Sequence, residues 1–289
     1  MSEQFKDQGG VATMDPSHLT RWLTSRLMTR ISSAAAVAAR HRKAEQARVR
    51  AAAPHRVDYF HQVDEGYSYL AAQMLEQLAA RYDIELHCHL VRGQEGKNAP
   101  EPELLARLAR ADSHEIAPGY GLSFPHHPDA PAASLVETAS QILAAQSHSD
   151  FPKAAVSVSE ALWCDDAARL TDLAAEVGTA SPEATTAAVE AGTQKRRELK
   201  HYSGAMFYYG GEWYWSVDRL YHLEGRLAAL GADTQPGAPL IAPRPGEDLA
   251  GHRDTGQFKL ELYASLRSPY TSVIFDRVVA FAKAAGVTL

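Results

Sequence analysis

The strongest constraint on the fold is a strand–turn–helix pattern that occurs twice. In the first copy, residues 57–63 favour a buried strand, and residues 64–66 form a break with a candidate N-cap. Apolar residues then recur at helical spacing as far as Leu78. The second copy starts at Leu260, 203 positions after Val57, and at this offset the apolar positions of both copies coincide. We therefore predict two copies of one β-α-β opening, the second reaching Leu289 within its second strand.

Charge is distributed unevenly along the chain. Between residues 16 and 56, nine Arg or Lys residues stand against the single acid Glu45, which gives +8. Because the net charge is −6, the remainder carries −14. The acidic remainder argues against a nucleic-acid partner. No run of about eighteen apolar residues is present, so the sequence predicts no membrane span.

Cysteine usage favours a reducing compartment. The 289 residues contain only Cys88 and Cys164, without a C-x-x-C motif. This spacing predicts neither a disulfide framework nor a zinc site, and the polar, acidic start does not resemble a secretory signal. We expect a cytoplasmic protein.

The N-terminal region precedes the first copy. Residues 1–15 are predicted to be disordered and 16–50 to form one long helix, with Leu19, Leu23, Leu27 and Ile31 spaced by four. A basic amphipathic helix can lie on a membrane surface or resemble a transit segment. An extra helix packed on the body or on a partner is the preferred interpretation.

After the first helix, residues 83–91 read as a second strand, with His87 and His89 on one face and Cys88 on the other. We interpret the histidines as partly buried and not as metal ligands. Helices are predicted from about 93 to 200. A hairpin follows, with strands 204–209 and 212–215, and Ser216 is predicted to cap a final helix over 217–230.

The order βαβ, helical block, ββα predicts an α/β, thioredoxin-like fold with a helical insertion, preceded by a long N-terminal helix. The predicted boundaries are 1–55 for the arm and helix and 56–231 for the thioredoxin-like domain, with its insert at about 93–200. A linker rich in Pro and Gly follows at 232–257, and 258–289 begins a second, incomplete domain.

These residues, with the loop Tyr-Gly-Leu-Ser-Phe-Pro at 120–125 and the stretch Gly-Glu-Trp-Tyr-Trp-Ser-Val-Asp-Arg-Leu at 211–220, resemble the DsbA-like thioredoxin superfamily. The most similar branch is 2-hydroxychromene-2-carboxylate isomerase and kappa-class glutathione transferase. The resemblance covers about 56–231 and again 258–289. It implies glutathione as cofactor, with a turn serine facing its sulfur. It also implies a cis-proline opening the third strand beside backbone that pairs with the tripeptide, and an acid at the last helix that holds the γ-glutamyl amine.

The first copy departs from this pattern at two positions. Glu65 stands where the serine belongs, and a negative charge there would repel a thiolate. Ala205 stands where the cis-proline belongs, so a trans peptide is expected. Its neighbour Met206 and the acid Asp218 match ligand-binding positions, although Asp218 also suits a helix start without a ligand. Ser68 is expected to be an exposed first-turn serine, with a substitute hydroxyl donor as the alternative.

The second copy keeps the turn serine that the first copy lacks. Ser268 matches the catalytic serine, and Pro269 and Tyr270 follow as ligand-binding candidates, although a Ser-Pro pair is also ordinary helix-capping chemistry. Because no strand that could carry a cis-proline follows, we expect the gene to continue beyond Leu289.

Three functions are compatible with this sequence. One is a glutathione-dependent isomerase or transferase whose first domain is degenerate. Another is a non-catalytic thioredoxin-fold scaffold that binds a partner or ligand in the groove that is the active site in the resembling family. A thiol-disulfide oxidoreductase is disfavoured because C-x-x-C is missing. A homodimer is expected because the second β-α-β start needs a partner sheet.

Overall fold

The structure is a computed structural model that describes residues 17–94, 99, 101–125, 129–244, 251–264 and 269–289, with backbone alone at 269, 270, 272 and 273. It divides into two compact units. The larger holds the described residues of 38–245, and the smaller holds those of 1–37 and 246–289. Within the described ranges, no helix combines the length and apolarity that crossing a bilayer requires.

The larger unit is built on a four-stranded sheet. The strands are β1 (Arg56–His61), β2 (Glu85–Leu90), β3 (Met206–Tyr209) and β4 (Glu212–Trp215). Their order across the sheet is β2-β1-β3-β4. β1 and β2 are parallel, whereas β3 is antiparallel to both β1 and β4. A parallel pair needs a crossover connection, which one helix supplies between β1 and β2.

The helices follow the predicted order closely. They are α1 (His18–Ser32), α2 (Ala34–Arg50), α3 (Gly66–Arg81), α4 (Pro102–Ile116), α5 (Ala133–Ala144), α6 (Phe151–Trp163), α7 (Ala167–Val177), α8 (Pro182–Glu198), α9 (Ser216–Ala229) and α10 (Pro269–Ala285). A short 3-10 helix (Ala117–Tyr120) follows α4. The sequence β1-α3-β2, helices α4 to α8, then β3-β4-α9 confirms the predicted thioredoxin-like fold with a helical insertion.

The core lies around α3. The side chains of Val57 and Tyr59 on β1 and of Leu70, Leu75 and Leu78 on α3 are fully buried. α3 contacts α6 of the insertion and α9 of the C-terminal half. The insertion therefore shares one hydrophobic core with the sheet.

A close approach ties the insertion to the sheet. A Cβ atom built on Gly192 in α8 would lie 2.1 Å from the carbonyl oxygen of Leu90 at the end of β2. Only glycine allows the helix backbone to lie this near the strand. Gly192 thus fixes the position of α8 over β2.

Buried charged side chains hold the segment that follows α9. Arg81 pairs with Asp233 at 3.0 Å and also donates to the carbonyl of Ala238 at 2.9 Å. The buried carboxylate of Glu224 accepts hydrogen bonds from the N–H groups of Ile241, at 2.8 Å, and Ala242, at 3.0 Å. The first part of the predicted linker, 232–242, is therefore fixed on the larger unit.

The N-terminal region differs from the single long helix that we predicted. It forms two helices, because Ser33 between them is extended, with φ −63° and ψ 145°. The Ser33 Oγ accepts a hydrogen bond from the N–H of Ala36 and so starts α2. No side chain of α1 is buried, and Leu19, Leu23 and Leu27 are each more than half exposed.

The C-terminal segment repeats the register of the first copy. Lys259 and Thr288 form a parallel bridge, at positions equivalent under the 203-residue offset to the β1–β2 pair Arg56 and Glu85. α10 likewise starts at the position equivalent to Gly66. In the described residues, the strand predicted from Leu260 is reduced to this bridge. The second domain itself stays a prediction.

The apolar side chains of α10 are exposed where those of α3 are not. Ile274 is 42% exposed and Phe275 is 46% exposed. Their equivalents in α3, Ala71 and Ala72, are fully buried. The C-terminal segment therefore presents a face that the fold covers in the first copy.

We predict that Gly192→Ala lowers the free energy of unfolding by about 1–3 kcal/mol, because α8 must move away from β2. Gly225→Ala in α9 is the matched control, since no described atom outside its own helix turn lies within 4 Å of the Cβ position. It should be neutral or stabilising by up to about 1 kcal/mol. Urea unfolding of both variants measures the difference, and equal stability of the two would contradict the close approach.

Candidate functional site

A groove lies at the carboxyl end of β1, where the chain turns into α3. Its cavity of about 470 Å³ is lined on the polar side by Gln62, Glu65 and Gln94, and α4 supplies apolar side chains including Leu105 and Leu108. The N-terminal turn of a helix offers unpaired N–H groups, and clefts of this size are where small ligands bind. This groove is the candidate site.

Tyr67, in the first turn of α3, connects three walls of the groove. Its hydroxyl donates to Asp112 of α4 at 2.8 Å, and its ring meets the edge of Trp215 with centroids 4.9 Å apart. The carbonyl of Tyr67 accepts a hydrogen bond from Ser216 Oγ at 3.0 Å. The prediction that Ser216 is an N-cap was wrong. Trp215 occupies that position, and the hydroxyl of Ser216 serves this tertiary contact instead.

Ser68 lies at the centre of the site's hydrogen-bond network. The expectation that it is exposed was wrong. The residue is fully buried. Its Oγ accepts hydrogen bonds from the N–H groups of Gln62 and Ala205, both at 3.1 Å, and donates to Glu65 Oε2 at 2.8 Å. The Ser68 carbonyl accepts from the Tyr59 hydroxyl at 2.9 Å. One side chain thus joins the β1–α3 turn to the start of β3.

The side chain of Glu65 is half-buried and belongs to this network. Burial raises its pKa from the ordinary 4.5 to about 7, against the lowering effect of the Ser68 hydrogen bond. A pKa near 7 makes the charge of Glu65 depend on pH around neutrality, whereas the sequence analysis expected a fixed negative charge. A Cβ on Gly204 would lie 2.4 Å from Glu65 Oε2, so a larger residue there would force the Glu65 carboxyl group to shift.

Ala205 uses its backbone groups inside the fold. None of the described peptide bonds is cis, and Ala205 has a φ of 51°, in the left-handed region that is costly for a residue with a Cβ. Its N–H donates to Ser68 and its carbonyl accepts from the N–H of Ser216 at 2.7 Å. Because its N–H is engaged, Ala205 cannot donate a hydrogen bond to the backbone of a bound peptide.

The other predicted site residues are dispersed. Met206 is buried in the sheet, between β1 and β4, and its side chain clusters with Phe60 and Val91. Asp218 is exposed in the first turn of α9 and accepts a hydrogen bond from the Tyr120 hydroxyl at 2.8 Å. Ligand contacts by these two residues stay predictions.

The predicted residues of the second copy are not tested. Ser268 lies outside the described residues. Pro269 and Tyr270 are described by their backbone alone, at the start of α10.

Neither cysteine lies at the site. Cys88 is buried on β2, and burial raises the pKa of its thiol. Cys164 follows α6, and desolvation and the nearby carboxylates of Glu160 and Asp166 raise its pKa too. A raised pKa leaves little reactive thiolate at neutral pH.

His87 and His89 lie partly buried on the same face of β2. His89 Nε2 contacts Asp58 Oδ1 at 2.8 Å, and Lys195 Nζ reaches the same oxygen at 3.1 Å. Among the described side chains, no group of three or more His, Cys, Asp or Glu residues could hold a metal ion.

No protein-family model matches this chain, and no curated protein does. Among solved structures, 2-hydroxychromene-2-carboxylate isomerase is similar at 20% identity and a TM-score of 0.47, over 61% of this chain and 96% of its own. A probable DsbA oxidoreductase from Streptomyces coelicolor is similar at 13% identity and a TM-score of 0.46, over 64% and 94% of the two chains. The cytosolic disulfide reductase DsbM from Pseudomonas aeruginosa is similar at 16% identity and 0.40, over 61% and 97%. The fold assignment above rests on the strand order and pairing, and the activities named are those of the matched proteins.

We predict that Glu65 makes stability depend on pH. A carboxyl whose pKa is raised by folding contributes its full stability below about 4.5 and loses it as pH rises through about 7. From about pH 5 to about pH 8, the wild type should therefore lose stability relative to Glu65→Gln. Thermal unfolding across this range measures the difference. The control is Glu76→Gln, on the exposed side of the same helix, which should follow the wild type. Parallel curves for the wild type and Glu65→Gln would contradict the raised pKa.

Proposed function

We propose that the larger unit is a thioredoxin-fold binding module whose glutathione site is degenerate and whose groove takes a ligand or partner without thiol chemistry. The observation that carries this is the closed network of Ser68, Glu65 and Ala205. In the resembling branch, a free hydroxyl and a free strand end face the ligand. Here the hydroxyl of Ser68 and the backbone of Ala205 bond to each other, and the Glu65 carboxyl group completes the set.

The network removes the features that hold a thiolate. A thiolate is favoured by hydrogen-bond donors and positive charge, whereas the carboxyl of Glu65 offers partial negative charge. The neighbouring Asp64 adds a further carboxylate to the lining of the groove. The polar end of the groove therefore suits a group that donates hydrogen bonds, and the α4 side suits an apolar body.

A second candidate is a glutathione-dependent isomerase or transferase whose chemistry resides in the second copy. Its support is the match of Ser268, Pro269 and Tyr270 to the serine motif, together with the β-α-β register at Lys259 and Thr288. One of the similar solved structures is DsbM with GSH, and another is an isomerase. This candidate takes glutathione as cofactor.

Two further proposals concern the state of the chain. The exposed apolar residues of α10 favour a homodimer that covers them. The free thiols of Cys88 and Cys164 favour a reducing, cytoplasmic location.

We predict that the wild-type larger unit does not bind glutathione and that Glu65→Ser with Ala205→Pro restores some binding. Calorimetric titration of glutathione into the full chain measures this, in a Ser268→Ala background that removes the second-copy candidate. Tight binding in the Ser268→Ala single variant would show that the site of the first copy is intact. Binding lost only through Ser268→Ala would favour the second candidate function.

We also predict that no activity of this protein depends on its cysteines. Cys88→Ala with Cys164→Ala should leave any measured turnover unchanged, because both thiols have raised pKa values and neither lies at the groove. Insulin reduction and disulfide isomerisation are the assays. Turnover that the double variant abolishes would establish the disfavoured oxidoreductase.

A further inference from the structure

The groove at the start of α3 contains carboxyl groups without a compensating cation. Asp64 and Glu65 are the charged residues of its described lining. Within the described residues, neither carboxyl group forms an ion pair. One oxygen of each is engaged, since Asp64 Oδ1 accepts from the Gln62 amide at 3.0 Å and Glu65 Oε2 accepts from Ser68. In the described structure, the second oxygen of each carboxyl group has no hydrogen bond.

The other polar groups of the lining use hydrogen-bond donors inside the protein. The Tyr67 hydroxyl donates to Asp112, and the Gln94 amide donates to Ser203 Oγ at 3.0 Å. The capacity that remains is weighted towards acceptors, because the amide oxygens of Gln62 and Gln94 add to the free carboxyl oxygens. This lining suits a ligand group that carries several donors.

Two sources of positive potential lie near these carboxyl groups. The N-terminus of α3 is equivalent to about half an elementary charge. Arg196 of α8 acts on Glu65 through its charge, but it is buried, donates to the carbonyl of Arg92 at 2.9 Å and is not part of the lining. Asp64 and Glu65 line the cavity directly, so two carboxylates outweigh these sources at the polar end of the groove when both are ionised.

Exposed apolar side chains form much of the remaining lining. Leu105 and Leu108 of α4 are 42% and 62% exposed, and Trp215 is 36% exposed. Large apolar side chains that stay exposed around a cavity are typical of a binding surface. Trp215 also packs against the Tyr67 ring, and aromatic rings attract ammonium groups as well as apolar chains. The groove therefore joins an acidic end to an apolar wall.

We propose that this groove binds a primary alkylammonium, that is, a small cation with an apolar chain. Asp64 and Glu65 accept charge-assisted hydrogen bonds from the ammonium group. The chain lies along Leu105 and Leu108. This inference rests on the proposed function, a groove that takes its ligand without thiol chemistry, and it adds the charge and the chain that such a ligand carries.

Three ligands with the same six-carbon chain test the charge. n-Hexylamine, 1-hexanol and hexanoate are titrated separately into the full chain at about pH 8, where a primary amine is protonated, and binding is followed by calorimetry. Hexylammonium should bind at least about threefold more tightly than hexanol, and hexanoate should bind most weakly. Lack of hexylammonium binding, or equal binding of all three, would overturn the inference.

These outcomes are separate from a failure of the proposed function. Equal binding of the three ligands would leave a groove that takes apolar molecules without thiol chemistry, so the proposed function would stand. The proposed function fails instead if glutathione binds tightly in the Ser268→Ala background.

Substitutions locate the binding in the groove. Asp64→Asn, at an exposed position, and Leu108→Gln should each weaken hexylammonium binding at least about threefold. The matched controls are Glu76→Gln on α3 and Leu104→Gln on α4, which are exposed and outside the lining. They should bind as the wild type does. Equal affinity in Leu108→Gln and Leu104→Gln would show that the chain lies elsewhere and would contradict the site.

The pH dependence of binding tests Glu65. Because its pKa is raised to about 7, the affinity of the wild type for hexylammonium should rise by about threefold or more between about pH 6 and about pH 8. The charged and titratable groups that act on Glu65 are Asp64 in the same turn, Arg196 on α8 and Tyr59 on β1. Glu65→Gln should remove the rise and keep the contribution of Asp64. A rise of the same size in Glu65→Gln would contradict a contact between the ammonium group and Glu65.

Discussion

The hydrogen-bonded hydroxyl of Ser68 is the interaction on which the site depends. It lies where three parts of the fold meet: the end of β1, the first turn of α3 and the residue before β3. A buried N–H without a partner costs free energy comparable to a lost hydrogen bond. Ser68 accepts from two such groups, the N–H of Gln62 and the N–H of Ala205, and its hydroxyl donates a hydrogen bond to Glu65. The turn, the left-handed Ala205 and the Glu65 carboxyl are therefore parts of one arrangement.

The fold could be predicted from the sequence because its signals are local and periodic. Strand-favouring residues identified β1, and apolar residues at helical spacing as far as Leu78 identified α3. The break at Ser33 was missed because the apolar spacing of α1 and α2 runs through it. One serine with an extended backbone ends a helix without changing the hydrophobic pattern.

The candidate site could be located from the sequence but not its chemistry. The turn at Glu65 and the replacement of the family's cis-proline by Ala205 could be predicted from the resemblance. The burial of Ser68 does not, because it depends on a contact with a residue 137 positions away. The raised pKa of Glu65 has the same origin, since a carboxyl one residue before a helix is ordinarily solvated and ionised. The sequence offers one signal for this contact, Gly204, where any Cβ would force the Glu65 carboxyl group to shift.

The contact of Gly192 with Leu90 has a consequence for motion. With the backbone of α8 in contact with that of β2, a hinge cannot separate this helix from the sheet without breaking van der Waals contact. The opposite wall of the groove is α4, which touches α3 and the short 3-10 helix and makes its apolar residues Leu105 and Leu108 largely accessible. If the groove widens on ligand entry, we therefore expect α4 to move while the sheet stays in place.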